Sequence, residues 1–179
     1  SGEQNRPAPL PPSRGVTERL ASLDITNGPS CCFIASICQT MPRSTFYKHR
    51  IAFADCDPAQ IVFFANYFKW FDTSGFEFFV ACGVPPWRDT AQKGGIIGTP
   101  LVKATATFVN SATYGEDVEI ESWVHEWRTK SFVMRHVARR GDTLLAEGED
   151  IRVFAIMDPE HPTRIRAVPI PPEIRALCE

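Results

Sequence analysis

Phe53-Ala-Asp-Cys-Asp-Pro-Ala-Gln-Ile-Val-Phe-Phe-Ala-Asn-Tyr-Phe-Lys-Trp-Phe-Asp72 is the stretch on which the reading of the chain turns. It begins where a strand-like run ends, holds two carboxylates, Asp55 and Asp57, in a turn, and enters the most apolar and aromatic segment of the protein. Proline pushes the residue before it out of the helical region, so Asp57-Pro58 is a turn dipeptide. A helix is expected to begin between Phe63 and Asn66 and to stop at Gly83, because the residue just past a helix end often needs positive φ. Phe64, Tyr67, Phe68, Phe71, Phe78 and Cys82 recur at helical spacing, while Phe63, Trp70, Phe76, Phe79 and Val80 fill other faces. A helix apolar nearly all round is expected to be buried. Gly75 in its middle costs about 1 kcal/mol relative to Ala, which points to a close approach to the backbone there.

Downstream of Gly83, Pro85-Pro86-Trp87 opens a short irregular or helical stretch that ends at Gly94-Gly95. The remainder reads as strands: Leu101 to Val109, Glu116 to Trp127, Phe132 to Arg139, Leu144 to Met157 and a short run from Arg164 to Ile170. The connections are short enough for antiparallel pairing. The pattern is therefore α+β, a long antiparallel sheet around one apolar helix, with self-association covering what one helix cannot.

Residues 1–40 differ in character, with Pro, Gly, Ser and charge in place of a core, as in Pro7-Ala-Pro-Leu-Pro-Pro-Ser13. They are expected to be an extension, disordered or added in cloning, ahead of one domain at 41–179. Such a length can bury roughly two-thirds of its unfolded surface. With 19 basic and 21 acidic residues and no basic stripe, nucleic acid is not an expected partner. Cys31 to Ile37 is too short an apolar run to span a bilayer, so no membrane role is expected. The six cysteines form no CxxC pair and the four histidines show no metal-ligand spacing. We expect reduced thiols, a cytoplasmic location, and neither metal nor cofactor.

A helix N-terminus offers unpaired N–H groups and partial positive charge. A carboxylate just upstream suits acyl transfer: donors for a developing oxyanion, and a nucleophile or general base. On residue types alone, Asp55 and Asp57 can equally be strand terminators and helix caps.

Five motifs go further: Phe53-x-Asp-Cys-Asp-Pro-Ala-x-Ile-Val-x-x-x-Asn-Tyr67, Cys82-Gly-x-Pro-Pro-Trp-Arg88, Gly98-Thr-Pro100, Glu126-Trp-Arg-x-Lys-Ser-Phe-Val133 and Ile151-Arg-Val-Phe-Ala155. With them, residues 41–179 resemble the 4-hydroxybenzoyl-CoA thioesterases of the hot-dog fold. The resemblance implies an enzyme that hydrolyses an aromatic acyl-CoA, with an acyl-CoA as its small-molecule partner and a homodimer or homotetramer as its assembly. It implies that Asp57 attacks the thioester carbonyl or activates water, and that the backbone N–H of Phe64 polarises that carbonyl. Asp72 and Trp87 match the positions that hold a ring hydroxyl, and Thr99 is expected to line the same site. Arg128, Lys130 and Arg152 match segments that contact the CoA nucleotide. Gln60 stands where the motif usually has a small residue, and Asp55 is expected to bond the turn.

Alternatives remain open from the residues. Asp72 can face solvent or pair with a cation such as Arg88, and each basic residue can be an ordinary charge on a strand's wet face. Other thioester substrates on this fold are benzoyl, aliphatic or carrier-protein thioesters. A non-catalytic acyl-CoA-binding protein is the reading from another class. A hot-dog dehydratase is set aside, because no His lies between His49 and His125.

Overall fold

A computed structural model describes residues 43–161 and 163–179. The expected extension at 1–40 and the domain start at Met41 lie outside the described residues. Within them the order is β1 (Ser44–Arg50), α1 (Ala65–Ala81), α2 (Trp87–Gln92), β2 (Leu101–Phe108), β3 (Asp117–Trp127), β4 (Ser131–Arg140), β5 (Thr143–Met157), β6 (Ile165–Val168) and α3 (Pro172–Cys178). The strands form one antiparallel sheet in the order β1-β3-β4-β5-β2, with β6 paired to the last residues of β5. Only β2 and β1 are left as outer strands of that path. The expected α+β hot-dog arrangement is what the structure has, a sheet curved around one long helix.

The ends of α1 follow from local chemistry. Gly83, at φ +80°, donates to the Val80 carbonyl and Val84 donates to that of Phe79. This pair of hydrogen bonds at a left-handed glycine is a Schellman stop, with Val84 and Phe79 in one apolar cluster. The inward face of α1 carries Tyr67, Trp70, Phe71, Ser74, Gly75, Phe78 and Phe79. Tyr67, Trp70 and Phe71 join Ile51, Val118, Ile120 and Leu145 in one cluster, while Phe78 and Phe79 join Phe132, Met134 and Phe154 in a second. Ser74 and Gly75 lie between the two.

Two glycines allow the helix to sit so close. A Cβ at Gly75 would meet Met134 Sδ at 3.3 Å, the close approach expected there. A Cβ at Gly148, in the middle of β5, would collide with the ring of Phe71.

Two expectations need correction. The helix is not buried all round: Phe64 is 55% exposed, Phe76 46% and Val80 49%. One sheet covers one side of a helix, so the aromatic residues at other angles stay outside. The residues after Ile170 were expected to carry no helix, yet Pro172–Cys178 is helical and buries Ile174 and Cys178 against the second cluster. Its seven residues are too short to show a helical period in sequence. The stretch beginning at Trp87, expected as irregular or helical, is helical for six residues. Cys56, Cys82 and Cys178 are free thiols. Among the described residues no helix is long and apolar enough to cross a membrane.

Replacing Gly148 by Ala should lower stability by about 1–3 kcal/mol, since overpacking forces the ring or the strand to move. A shift of the urea midpoint to lower concentration at unchanged m-value checks this.

Candidate active site

Asp57 sits in a tight loop closed by an antiparallel bridge between Cys56 and Val62. Its N–H donates to the Ile61 carbonyl at 2.9 Å, and its own carbonyl accepts from Gln60 at 2.8 Å. Its Oδ1 accepts the Ala59 N–H at 2.8 Å, as an Asp in a turn is suited to do. The other carboxylate oxygen has no partner among the described residues. Gln60 has φ +63°, the left-handed region that favours glycine. That backbone requirement gives a physical reason for a small residue at this position.

The loop is tied to the start of α1 through Asp55. The Asp55 carbonyl accepts both the Phe63 N–H and the Asn66 side-chain amide at 2.9 Å. Its carboxylate accepts the Ala52 N–H at 2.9 Å and meets His49 Nε2 at 3.1 Å. Asp55 therefore braces the turn. Phe64 is the residue at the N-terminal boundary of α1, with no side-chain cap and no acidic residue in the first turn. Among the described residues its N–H has no acceptor. The dipole end and its free donors thus stand a few residues from the Asp57 carboxylate.

A second feature lies two turns along the same helix, about 12 Å down its axis at 1.5 Å per residue. A cavity of about 480 Å³ is lined by Asp72, Phe76, Trp87, Thr99, Leu101 and Arg152 with neighbours at 97, 98, 100 and 165. The structure thus gathers Asp72, Trp87 and Thr99 into one cavity. Trp87 packs edge-on to Phe79 and Phe154, with ring centroids 5.6 and 6.2 Å apart. Asp57 and Phe64 do not line this cavity. Phe64 lines a separate groove of about 350 Å³ with Ile61, Val62, Tyr67 and the residues that end β2.

The three expected nucleotide cations separate. Arg128 and Lys130 are exposed in the β3–β4 turn, where Arg128 makes two bonds to the Glu126 carboxylate at 2.9 and 3.0 Å. Arg152 is only 6% exposed. Its Nη2 lies 2.6 Å from Asp150 and 2.8 Å from Asp72 Oδ1, and its Nη1 donates to the Thr99 carbonyl at 3.4 Å. A guanidinium so committed faces the Asp72 cavity, apart from the exposed Arg128 and Lys130. The ion pair of Asp72 is with Arg152, whereas Arg88 approaches Asp89 at 3.7 Å.

A model of the thioesterase-like superfamily matches residues 51–177. The 4-hydroxybenzoyl-CoA thioesterase of Pseudomonas sp. (strain CBS-3) is 46% identical over 143 residues, spanning 77% of this chain and 99% of the relative. The chain belongs to the thioesterase-like superfamily. It is a thioester hydrolase with the hot-dog fold. A crystal structure of a 4-hydroxybenzoyl-CoA thioesterase mutant, with asparagine in place of an aspartate and complexed with 4-hydroxybenzoyl-CoA, superposes with TM-score 0.72 at 44% identity, over 76% of this chain and 99% of that one. A gentisyl-coenzyme A thioesterase superposes with TM-score 0.65 at 30% identity, over 75% of this chain and 100% of that one.

Sequence reasoning about the thioesterase missed Asp150 and His136. Both are buried, at 2% and 0% exposure, behind Arg152. Their signal was present as phase. The inward positions of β5 are 146, 148, 150, 152 and 154, and two of them are charged. Charges at inward positions of a strand need partners. His136 stands opposite Gly148 on the neighbouring strand, so it faces the same side. Among the described residues no cluster suited to a metal ion is present.

Burial alone would push the Asp150 carboxyl up, but His136 and the Arg152 guanidinium beside it outweigh that and hold it below the ordinary range. A carboxyl depressed in the folded state contributes stability that is present above its unfolded pKa of about 3.9 and lost as pH falls through the folded value. Unfolding midpoints measured from pH 6 to pH 3 should therefore fall in the unmodified protein. Asp150→Asn should lose stability at pH 6 and show a flatter slope at the acid end.

Proposed function

We propose that the thioesterase hydrolyses 4-hydroxybenzoyl-CoA to 4-hydroxybenzoate and CoA. The observation that carries this reading is the gathering of Asp72, Trp87 and Thr99 around one cavity beside an aromatic wall. An ionised carboxylate is acceptor-only and the indole N–H is donor-only, so the pair can meet both faces of a phenolic hydroxyl. The relative at 46% identity is named for this substrate, and the one at 30% for a gentisyl thioester, another hydroxylated aryl group. Hydroxylated aryl thioesters of CoA are thus the class this cavity fits.

The chemistry follows from the turn before α1. Asp57 attacks the thioester carbonyl carbon through its unbonded oxygen. The Phe64 N–H and the helix dipole hold the oxyanion. The thiolate leaves with little acid help, because a thiol has a pKa near 8.5. Water then opens the mixed anhydride and restores the carboxylate. In support, an aspartate-to-asparagine mutant of a relative was crystallised with 4-hydroxybenzoyl-CoA. The exposed Arg128 and Lys130 supply cations for the nucleotide phosphates, Arg128 by exchanging its Glu126 partner.

The Asp57–Phe64 turn and the Asp72 cavity are two helical turns apart, and the aromatic surface between them is open. Phe64, Phe76, Leu101, Val102 and Phe108 are 46–63% exposed. With the free edge of β2 alongside, this surface suits a second copy of the chain, in a homodimer or homotetramer that brings one chain's turn to its partner's cavity.

Asp57→Asn should lower kcat on 4-hydroxybenzoyl-CoA by at least about 10²-fold while the substrate still binds by calorimetry. Retained hydrolysis would remove Asp57 from the chemistry. Asp72→Ala should reduce kcat/KM on 4-hydroxybenzoyl-CoA far more than on benzoyl-CoA. Equal losses on both would mean that Asp72 does not read the hydroxyl.

A further inference from the structure

The Asp72 carboxylate is 68% exposed, and such a side chain turns among its rotamers unless something holds it. Its ionic partner is Arg152, whose Nη2 stands 2.8 Å from Oδ1. Arg152 in turn is nearly buried, and a buried guanidinium needs compensation by charge and hydrogen bonds. Asp150 supplies both, accepting from Nη2 at 2.6 Å and from Nε at 3.1 Å. Behind Asp150 lies His136, with Nε2 3.6 Å from Oδ2 and its ring stacked on Phe71 at 11° and 4.9 Å. His136 Nδ1 meets Ser122 Oγ at 2.7 Å, and Ser122 meets Ser74 Oγ at 2.6 Å. Every member of this chain behind Arg152 is buried.

These groups come from α1, β3, β4 and β5 in turn, and the rotamer of Arg152 is fixed by its bonds to Asp150 and the Thr99 carbonyl in front of them. His136 Nε2, which has no hydrogen-bond partner among the described residues, faces Asp150, while Nδ1 and the two serine hydroxyls form one bonded string behind it. Nothing in the hydrolysis itself uses these groups. They converge on one exposed carboxylate oxygen in the acyl cavity.

We propose that Arg152, held by Asp150, is a positioning residue that fixes the Asp72 carboxylate and thereby sets the discrimination between hydroxylated and unsubstituted aryl thioesters. This rests on the reading of Asp72 as the acceptor of the ring hydroxyl. Arg152 meets Oδ1, and Oδ2 has no donor among the described residues, which leaves an acceptor on a residue that lines the cavity. A ring hydroxyl completes it. An unsubstituted ring strips its water and offers nothing in exchange, which is how a polar site rejects an analogue lacking the group.

The test compares kcat/KM on 4-hydroxybenzoyl-CoA with that on benzoyl-CoA, as a ratio, in the full chain. Asp150→Asn/Arg152→Gln removes the bridge without leaving a buried charge unpaired. Arg152→Lys is the second variant, retaining a cation opposite Asp150 but losing the fork that spans both carboxylates. Thermal unfolding identifies which variants are folded. In folded variants the ratio should fall by about tenfold or more, the worth of one hydrogen bond to a charged group. Adding Asp72→Ala to either should lower it no further. A ratio that stays at the unmodified value, or a loss equal on the two substrates, overturns the positioning role when Asp72→Ala alone collapses the ratio. If Asp72→Ala alone leaves the ratio intact, the hydroxyl-recognition reading fails instead, because that variant keeps Arg152 in place.

Discussion

A helix with aromatic residues at every angle cannot be satisfied by one sheet, and the rest of this molecule is arranged around that constraint. The sheet takes the side of α1 that carries Trp70, Phe71, Phe78 and Phe79, whose side chains are at most 2% exposed. The other side keeps Phe64, Phe76 and Val80 at the surface. The same geometry that leaves aromatic residues uncovered also leaves a helix N-terminus open beside Asp57 and a cavity open beside Asp72. Burying the whole helix would close both.

Between the two apolar clusters the helix crosses a polar seam. Ser74, Ser122, His136, Asp150 and Arg152 are all buried there. A seam of this kind is weak evidence for stability, since an ion pair replaced by apolar residues of similar volume is often as stable or more so. Its geometry makes sense as a support. It carries rigidity from the interior of the sheet to one carboxylate in the cavity, in the way that outer partners fix the orientation of groups that meet a ligand.

Much of this was legible in the sequence. The turn at Asp57-Pro58 and the stop at Gly83 are local chemistry, and α1 begins at Ala65, within the expected interval. The long strands show because alternation over ten or more residues is a strong periodic signal. The close approach at Gly75 was readable because glycine inside a helix is costly. The final helix was not, because seven residues fit no period. Neither was the exposure of half of α1, since apolar content does not say which face a sheet will take. In the site, Asp57 and Asp72 were picked out by the resemblance, since on residue types alone the first could cap a turn and the second face solvent. The burial of Arg152, Asp150 and His136 was not legible, because the run of residues along a strand does not say which phase faces inward.

Thiol release from 4-hydroxybenzoyl-CoA, benzoyl-CoA and a medium-chain acyl-CoA, measured side by side on the unmodified protein, tests the account most directly. It predicts the highest kcat/KM on 4-hydroxybenzoyl-CoA, because only that acyl group fills a flat aromatic cavity and completes a fixed carboxylate. Equal rates on all three, a maximum on the aliphatic thioester, or no release from any of them would contradict it.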